Sequence, residues 1–211
     1  MYDEAMEAIF NKLLQTSVKG HKYFAESRSG RLLHKMDHLA CFIGGLIGLS
    51  AKDSPNEKEY MAVADGIGET CHISYNSTET RIGPESFHFE TELTDAKALK
   101  PNEKPYLLRP EVVETYFYMW RLTHDPKWRQ YGWEAVQAIE KHCRAEGGYS
   151  GLRDVYAVPA QQDDVQQSFF IAETLKYLYL LFSPDSVLPL DEYVFNTEAH
   201  PLPVFKPSMH K

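Results

Sequence analysis

Residues 106–120 read Tyr106-Leu107-Leu108-Arg109-Pro110-Glu111-Val112-Val113-Glu114-Thr115-Tyr116-Phe117-Tyr118-Met119-Trp120. Pro110 fits the first position of a helix, where its missing N–H costs nothing and its fixed φ is already helical. Glu111 then falls in the first turn, where the positive end of the helix dipole favours a carboxylate and holds its pKa down. Glu111, Glu114, Thr115 and Tyr118 follow the i, i+3, i+4, i+7 spacing of a single helix face. Val112, Val113, Tyr116, Phe117 and Trp120 supply the flanks that pack. The stretch therefore reads as a helix with an acidic stripe on an otherwise apolar and aromatic surface. Taken alone, Glu114 reads equally well as part of a solvated face.

Outward from this helix the chain stays helical in pattern. The opening helix stops near His124, and Asp125-Pro126 then supplies an N-cap and a first-turn proline for the next helix, through about His142. Gly147 and Gly148 end that region, and 149–162 reads as a loop. A long apolar helix is expected from Asp164 to Phe182. Upstream, residues 3–17 carry Ala5, Ile9, Phe10, Leu13 and Leu14 at helical spacing, and Gly20 to Gly30 reads as a turn-rich loop. The run from His38 to Leu49 is strongly apolar, too short for a membrane span and right for a buried helix whose glycines admit a close neighbour. An amphipathic helix is expected over 56–75. A turn at Arg81-Ile82-Gly83-Pro84-Glu85 then leads to Phe87, His88 and Phe89, and the polar segment 92–105 with its two prolines reads as a surface loop. The tail, 194–201, looks extended. Glu114-Thr115, Tyr118, Trp120 and Leu122 recur at constant offset as Glu173-Thr174, Tyr177, Tyr179 and Leu181. Recurring helices of this kind point to paired helices stacked into a solenoid or closed toroid, in which Glu114 and Glu173 would converge on one axis. Two helices that merely share a core-like aromatic composition would look the same.

Composition narrows the function. The 211 residues carry a net charge of −8 with 43% hydrophobic and 25% charged residues, ordinary for a globular protein. The acidic balance excludes a nucleic-acid binder, whose phosphate partners demand a basic surface. No run of about 18 apolar residues is present to span a membrane, and no basic-then-apolar signal peptide opens the sequence. Cys41, Cys71 and Cys143 have no zinc-site spacing and read on their own as small buried residues. Asn76-Ser77-Thr78 is an N-glycosylation sequon, in keeping with a luminal protein.

Leu108-Arg109-Pro110-Glu111 resembles the Leu-Arg-Pro-Glu signature of the class I α-1,2-mannosidases, the inverting glycosidases of glycoside hydrolase family 47. Two further matches follow in the same order: Ser168-Phe169-Phe170-Ile171-Ala172-Glu173-Thr174-Leu175-Lys176-Tyr177-Leu178 and the tail Asn196-Thr197-Glu198-Ala199-His200-Pro201. The resemblance runs from about residue 31 to 205. It implies an all-α fold, part of an (α/α) barrel or toroid with an extended, hairpin-like tail, and residues 1–211 forming one C-terminal portion of the family's catalytic domain. The implied activity is hydrolysis of terminal α-1,2-linked mannose from high-mannose N-glycans in the Golgi or endoplasmic reticulum lumen. The segment 163–168 looks closer to the Golgi type. Full-length members are often type II membrane proteins.

Site roles follow by the same resemblance. Glu111 is the catalytic base and Glu85, in Gly83-Pro84-Glu85, a second acidic catalytic position; from residue type alone Glu85 is equally a structural carboxylate after a turn. Thr197 binds Ca²⁺ through its hydroxyl and carbonyl, an oxygen set suited to that ion. His38, Arg109, Glu114, Phe169, Glu173 and Glu198 contact the sugar, although His38 alone reads as a buried core histidine. Phe169 and Glu173 lie one turn apart, an aromatic face beside a carboxylate, as a sugar ring requires. Cys41 and Cys71 form a disulfide, leaving Cys143 free. Nothing upstream of residue 31 matches the family's principal general acid. The expectation is therefore half a barrel with a base and a calcium residue, inactive by itself, with apolar edges exposed. A non-catalytic mannose-binding or quality-control module, or a helical interaction scaffold, are the alternatives.

Overall fold

The computed structural model of the chain describes residues 1–52 and 54–205. The chain opens with α1 (Tyr2–Leu13), then β1 (Leu14–Thr16), β2 (Lys22–Phe24), β3 (Glu26–Arg28), β4 (Arg31–Leu33) and β5 (Lys35–Asp37). A 3₁₀ turn, His38–Cys41, leads into α2 (Phe42–Ala51) and then α3 (Glu57–Asn76). Next come β6 (Ser86–His88), α4 (Glu111–Thr123) and α5 (Pro126–Cys143). The last elements are β7 (Arg144–Ala145), β8 (Gly148–Tyr149), a π-helical stretch Phe170–Leu175 running into α6 (Lys176–Phe182), and the hairpin of β9 (Tyr193–Phe195) and β10 (Pro201–Pro203). The strands form five two-stranded antiparallel pairs, of which only β5–β6 joins segments distant in sequence. The layers are helical.

α4 is the centre, packing against α2, α3, α5 and α6. Its helix begins at Glu111, with Pro110 in the preceding cap position and its carbonyl accepting from Glu114 N–H at 2.8 Å. Val112, Val113, Tyr116, Phe117 and Met119 are essentially inaccessible to water, as is Trp128 of α5. Glycines let α2 lie directly on this surface: a Cβ at Gly44, Gly45 or Gly48 would come within 2.9 Å of Thr115, Tyr118 or Met119, respectively. Asp125 caps α5 by accepting from Lys127 N–H at 3.0 Å, ahead of Pro126. Cys41 and Cys71 are joined, tying the start of α2 to α3, and Cys143 is free and buried.

The internal repeat has a structural meaning. Thr115 and Thr174 are both fully buried, and each hydroxyl donates to a carbonyl of a neighbouring segment, Cys41 O and Leu108 O, both at 2.7 Å. Tyr118 and Tyr177 pack with ring centroids 6.3 Å apart. The two helices thus present the same face to the same interior.

Several expectations need correction. The first helix ends at Leu13 rather than continuing to 17, and of its apolar stripe Ala5 is exposed while Met6 is buried. Leu14–Thr16 instead pairs with Lys22–Phe24, because Gly20 at φ +89° and Ser17 close a hairpin. The expected 20–30 loop is therefore mostly hairpin. The run from His38 starts as a 3₁₀ turn and becomes α-helical only at Phe42. The last long helix starts near Ser168, not Asp164, because the backbone around 164–166 is bonded elsewhere. Asp164 N–H donates to Ser150 Oγ, Val165 N–H to Asp163 Oδ1, and Val165 O accepts from Gly151 N–H. In the 92–105 segment, Asp95 and Glu103 are buried rather than at the surface.

Ile171, Leu175, Tyr179 and Phe182, spaced four, four and three residues apart, form an exposed apolar stripe along the last helix, with Tyr179 67% exposed. Trp133 of α5 meets it edge-on against Phe182.

Candidate active site

Glu111, at the first turn of α4, is only 7% exposed. Its Oε2 lies 2.7 Å from His38 Nδ1 and its Oε1 3.8 Å from Arg109 Nη1. Burial pushes its carboxyl up. The hydrogen bond from His38, its own backbone N–H and the Arg109 guanidinium outweigh that and hold it below its ordinary value. The result is a buried carboxylate that stays ionised, with helix-terminus, histidine and arginine all favouring the anion.

The surroundings fix this group from two sides. Arg109 Nε donates to both oxygens of Glu85 at 2.8 Å. The Glu85 backbone carbonyl accepts from His38 N–H at 2.8 Å, and its N–H donates to Pro105 O. Glu85 therefore locks together the segments bearing His38 and Arg109. Leu108 sits at φ +61°, a strained conformation for a branched residue. The Thr174 hydroxyl grips its carbonyl, and Tyr106 O–H donates to Arg109 O at 3.2 Å. The other ring nitrogen of His38, Nε2, is 2.7 Å from the Tyr75 hydroxyl.

A second group of carboxylates gathers beside Glu111. Burial, offset by a hydrogen bond from Tyr177 and reinforced by the charges of Glu111 and Glu173, raises Glu114 to about 8. Burial and the charges of Glu198 and Glu111 raise Glu173 to about 7. The charges of Glu111 and Glu198 thus both act on Glu173. The tail is seated by Phe195, whose ring packs on Phe117, Tyr118 and Tyr177 at 5.7–6.5 Å. Asn196 Oδ1 accepts from the N–H groups of Glu198 and His200, and Lys176 Nζ donates to Ala199 O at 2.7 Å. This tight turn presents Thr197 and Glu198 as exposed residues. Phe169 is half-buried one turn before Glu173.

The structure thus brings Glu85, His38, Arg109 and Glu111 into one hydrogen-bonded unit and Glu114, Glu173 and Glu198 into an adjoining acidic one. Among the described residues no three His, Cys, Asp or Glu side chains group closely enough to hold a metal by themselves. The exposed turn offers the oxygens of Thr197 and Glu198, a chemistry that fits a hard cation better than a softer one. A groove of about 670 Å³ between α3 and α5, lined by His72, Tyr75, Asn76, Tyr131 and Glu134 among others, reaches Tyr75 but none of these carboxylates.

Sequence reasoning missed Tyr75 and the Glu114–Tyr177 bond. The signal for Tyr75 was present: His38 precedes Cys41 by three residues and Tyr75 follows Cys71 by four, so the disulfide that joins the cysteines also joins them.

Glu114 sets a pH dependence. Its folded carboxyl holds a proton more tightly than the ordinary value of 4.5, so folding is favoured while it is protonated, and stability falls as pH rises from about 4.5 through about 8. Glu173 acts with the same sign. In calcium-free buffer at pH 9, Glu114→Gln is expected to melt about 2–8 °C above the parent chain, an effect of ~1–2 kcal/mol, and to match it at pH 4. Equal melting at pH 9 by circular dichroism would remove the buried charge from the account.

Comparison with known proteins places these features. Residues 1–204 match the sequence profile described as "Glycosyl hydrolase family 47". A Drosophila melanogaster protein named mannosyl-oligosaccharide alpha-1,2-mannosidase IA is 60% identical over 97% of this chain and 31% of its own length. Its Sus scrofa counterpart, mannosyl-oligosaccharide 1,2-alpha-mannosidase IA, is 56% identical over 100% of this chain and 32% of its own. The solved α-1,2-mannosidase from Trichoderma reesei superposes with a TM-score of 0.84 at 30% identity, over 95% of this chain and 46% of that one. The chain spans about a third of the length of the curated relatives.

Proposed function

The chain belongs to glycosyl hydrolase family 47, and from that footing we propose that residues 1–211 form one part of an inverting α-1,2-mannosidase catalytic domain that trims terminal mannose from high-mannose N-glycans. The observation that carries this reading is Glu111, buried yet held ionised by His38 and Arg109 at a helix N-terminus. Inverting hydrolysis needs a carboxylate that removes a proton from water on the face of the sugar opposite the leaving group, with an acid roughly 6.5–9.5 Å away. Glu111 is the base. Glu85, engaged by Arg109 through both its oxygens, holds the arginine in place rather than donating a proton. Glu114, Glu173 and Glu198 receive the sugar hydroxyls, and the Phe169 ring packs on its C–H face. Thr197, through hydroxyl and carbonyl, holds Ca²⁺ together with waters and nearby carboxylates. When bound, the ion engages hydroxyls of the terminal mannose and favours a distorted ring.

The reading puts the protein in the lumen of the secretory pathway, in the Golgi or endoplasmic reticulum, where a disulfide such as Cys41–Cys71 persists. Asn76 of the sequon is exposed at the end of α3, accessible for a glycan. No helix among the described residues is long and apolar enough to cross a membrane.

The test compares the free chain with a chimera in which it replaces the matching segment of the Drosophila relative. The free chain should release no mannose from an α-1,2-mannobiose, because no residue in it matches the family's general acid. The chimera should release mannose as the β-anomer. Turnover by the free chain, abolished by Glu111→Gln, would refute the division of roles. A chimera that binds mannose with calcium but never turns over would support a non-catalytic module instead.

A further inference from the structure

Resting on the reading of Glu111 as the base, we propose that Tyr75 is the positioning residue that fixes it: the Tyr75 hydroxyl donates to His38 Nε2 and so commits the imidazole to the tautomer whose Nδ1–H donates to Glu111.

Both ring nitrogens of His38 are occupied, Nδ1 by Glu111 Oε2 and Nε2 by Tyr75 Oη, each at 2.7 Å. His38 is 1% exposed, so water offers neither nitrogen an alternative. A neutral imidazole has one N–H and one lone pair. Placing the proton on Nε2 would aim the Nδ1 lone pair at the Glu111 carboxylate, two acceptors at hydrogen-bond distance, which is repulsive while Glu111 is ionised. Placing it on Nδ1 makes that bond charge-assisted and leaves Nε2 to accept, and a tyrosine hydroxyl is the donor it finds. Glu111 and Tyr75 therefore select the same tautomer from opposite sides of the ring, and Tyr75, 36 positions from the base in sequence, is the partner that satisfies the Nε2 lone pair.

Tyr75 is held rigidly enough to do this. It is buried, and its ring lies so close to Gly83 that a Cβ there would be 2.4 Å from it. Tyr106 meets it edge-on with centroids 6.4 Å apart, and the Cys41–Cys71 disulfide ties its helix to the turn carrying His38. The charged and titratable groups around this array are Glu111, Arg109, Glu85, Tyr106, Tyr116 and Cys143; among the described residues the Tyr75 hydroxyl is the one hydrogen-bond partner of Nε2, while Tyr106, whose own O–H donates to Arg109 O, is the other oxygen beside Tyr75. Burial keeps the Tyr75 phenol protonated, its pKa well above the usual value, so it remains a donor across the working pH range.

Histidine-selective ¹⁵N NMR on the 211-residue chain, without sugar or calcium, tests the proposal apart from the mannosidase reading. At pH 7 His38 is expected to show a protonated Nδ1 and an Nε2 with the shift of a hydrogen-bonded acceptor. A protonated Nε2, whether in the other tautomer or in an imidazolium, makes Tyr75 an acceptor and overturns it, and needs no variant that might misfold. In Tyr75→Phe, the Nε2 acceptor shift should be lost and the Glu111 carboxyl, followed by ¹³C NMR, should titrate about one pH unit higher. An unchanged His38 spectrum in a folded Tyr75→Phe chain would contradict the assignment. Absence of mannose binding by the chain would sink the mannosidase reading while leaving the tautomer result standing.

Discussion

Glu111→Gln, in the chimera that completes the domain, is expected to lower kcat about 10²–10⁴-fold, the usual contribution of a positioned general base. The substitution keeps size and shape and still offers an oxygen to His38 Nδ1–H, so the fold and the Arg109–Glu85 pair have no reason to move. What disappears is the carboxylate that takes the proton from water. The loss should fall on kcat with KM little changed, because the interaction is made in the transition state. Glu85→Gln should behave differently. It would weaken the bidentate hold on Arg109 and displace the arginine from Glu111, so part of its effect should appear in KM. A kcat for Glu111→Gln within a few-fold of the parent, in a chimera shown to be folded, would remove Glu111 from the role of base.

The second large effect concerns the framework that holds the site. Replacing Cys41 and Cys71 with alanine opens a loop of sequence separation 30. Releasing that constraint on the unfolded chain costs about 3–4 kcal/mol on the chain-entropy account. For a chain of this size the melting temperature should fall by roughly 7–15 °C. Both sulfurs are fully buried between α2 and α3, so some packing is lost as well. The same bond holds the His38 turn against Tyr75, and its loss should therefore loosen the base before the helices separate. Melting temperatures with and without reductant, read by circular dichroism, check this; a shift below a few degrees would show that packing alone holds the two helices.

The core and most of the site were legible in the sequence for a physical reason. Glu111, Glu114, Thr115 and Tyr118 sit on one continuous helix, and a helix carries its face in its spacing. The repeat at Glu173-Thr174 and Tyr177 was readable for the same reason, and both threonines do serve as buried donors to neighbouring carbonyls. Contacts made across the fold were harder to see. Glu85 looked like a turn residue because its partner, Arg109, lies 24 positions on. The short strands over 14–33 carry only three residues each, too few for alternation to rise above the surrounding loop pattern. The start of the last helix was misplaced because Asp163, Ser150 and Gly151 bond the intervening backbone, a competition that periodicity does not register. The grip of Tyr75 on His38 went unread although the expected Cys41–Cys71 disulfide brings the two segments together.

The most direct test of the central claim, that the mouth of α4 and the tip of the tail serve one sugar, is an NMR titration of the chain with methyl α-D-mannopyranoside in the presence and absence of calcium. The account predicts calcium-dependent shifts that appear together at Glu111, Glu173, Thr197 and Glu198 and are lost in Thr197→Val. Shifts confined to the groove of His72 and Tyr131, or sugar-induced changes at Glu111 that ignore both calcium and Thr197, would contradict it.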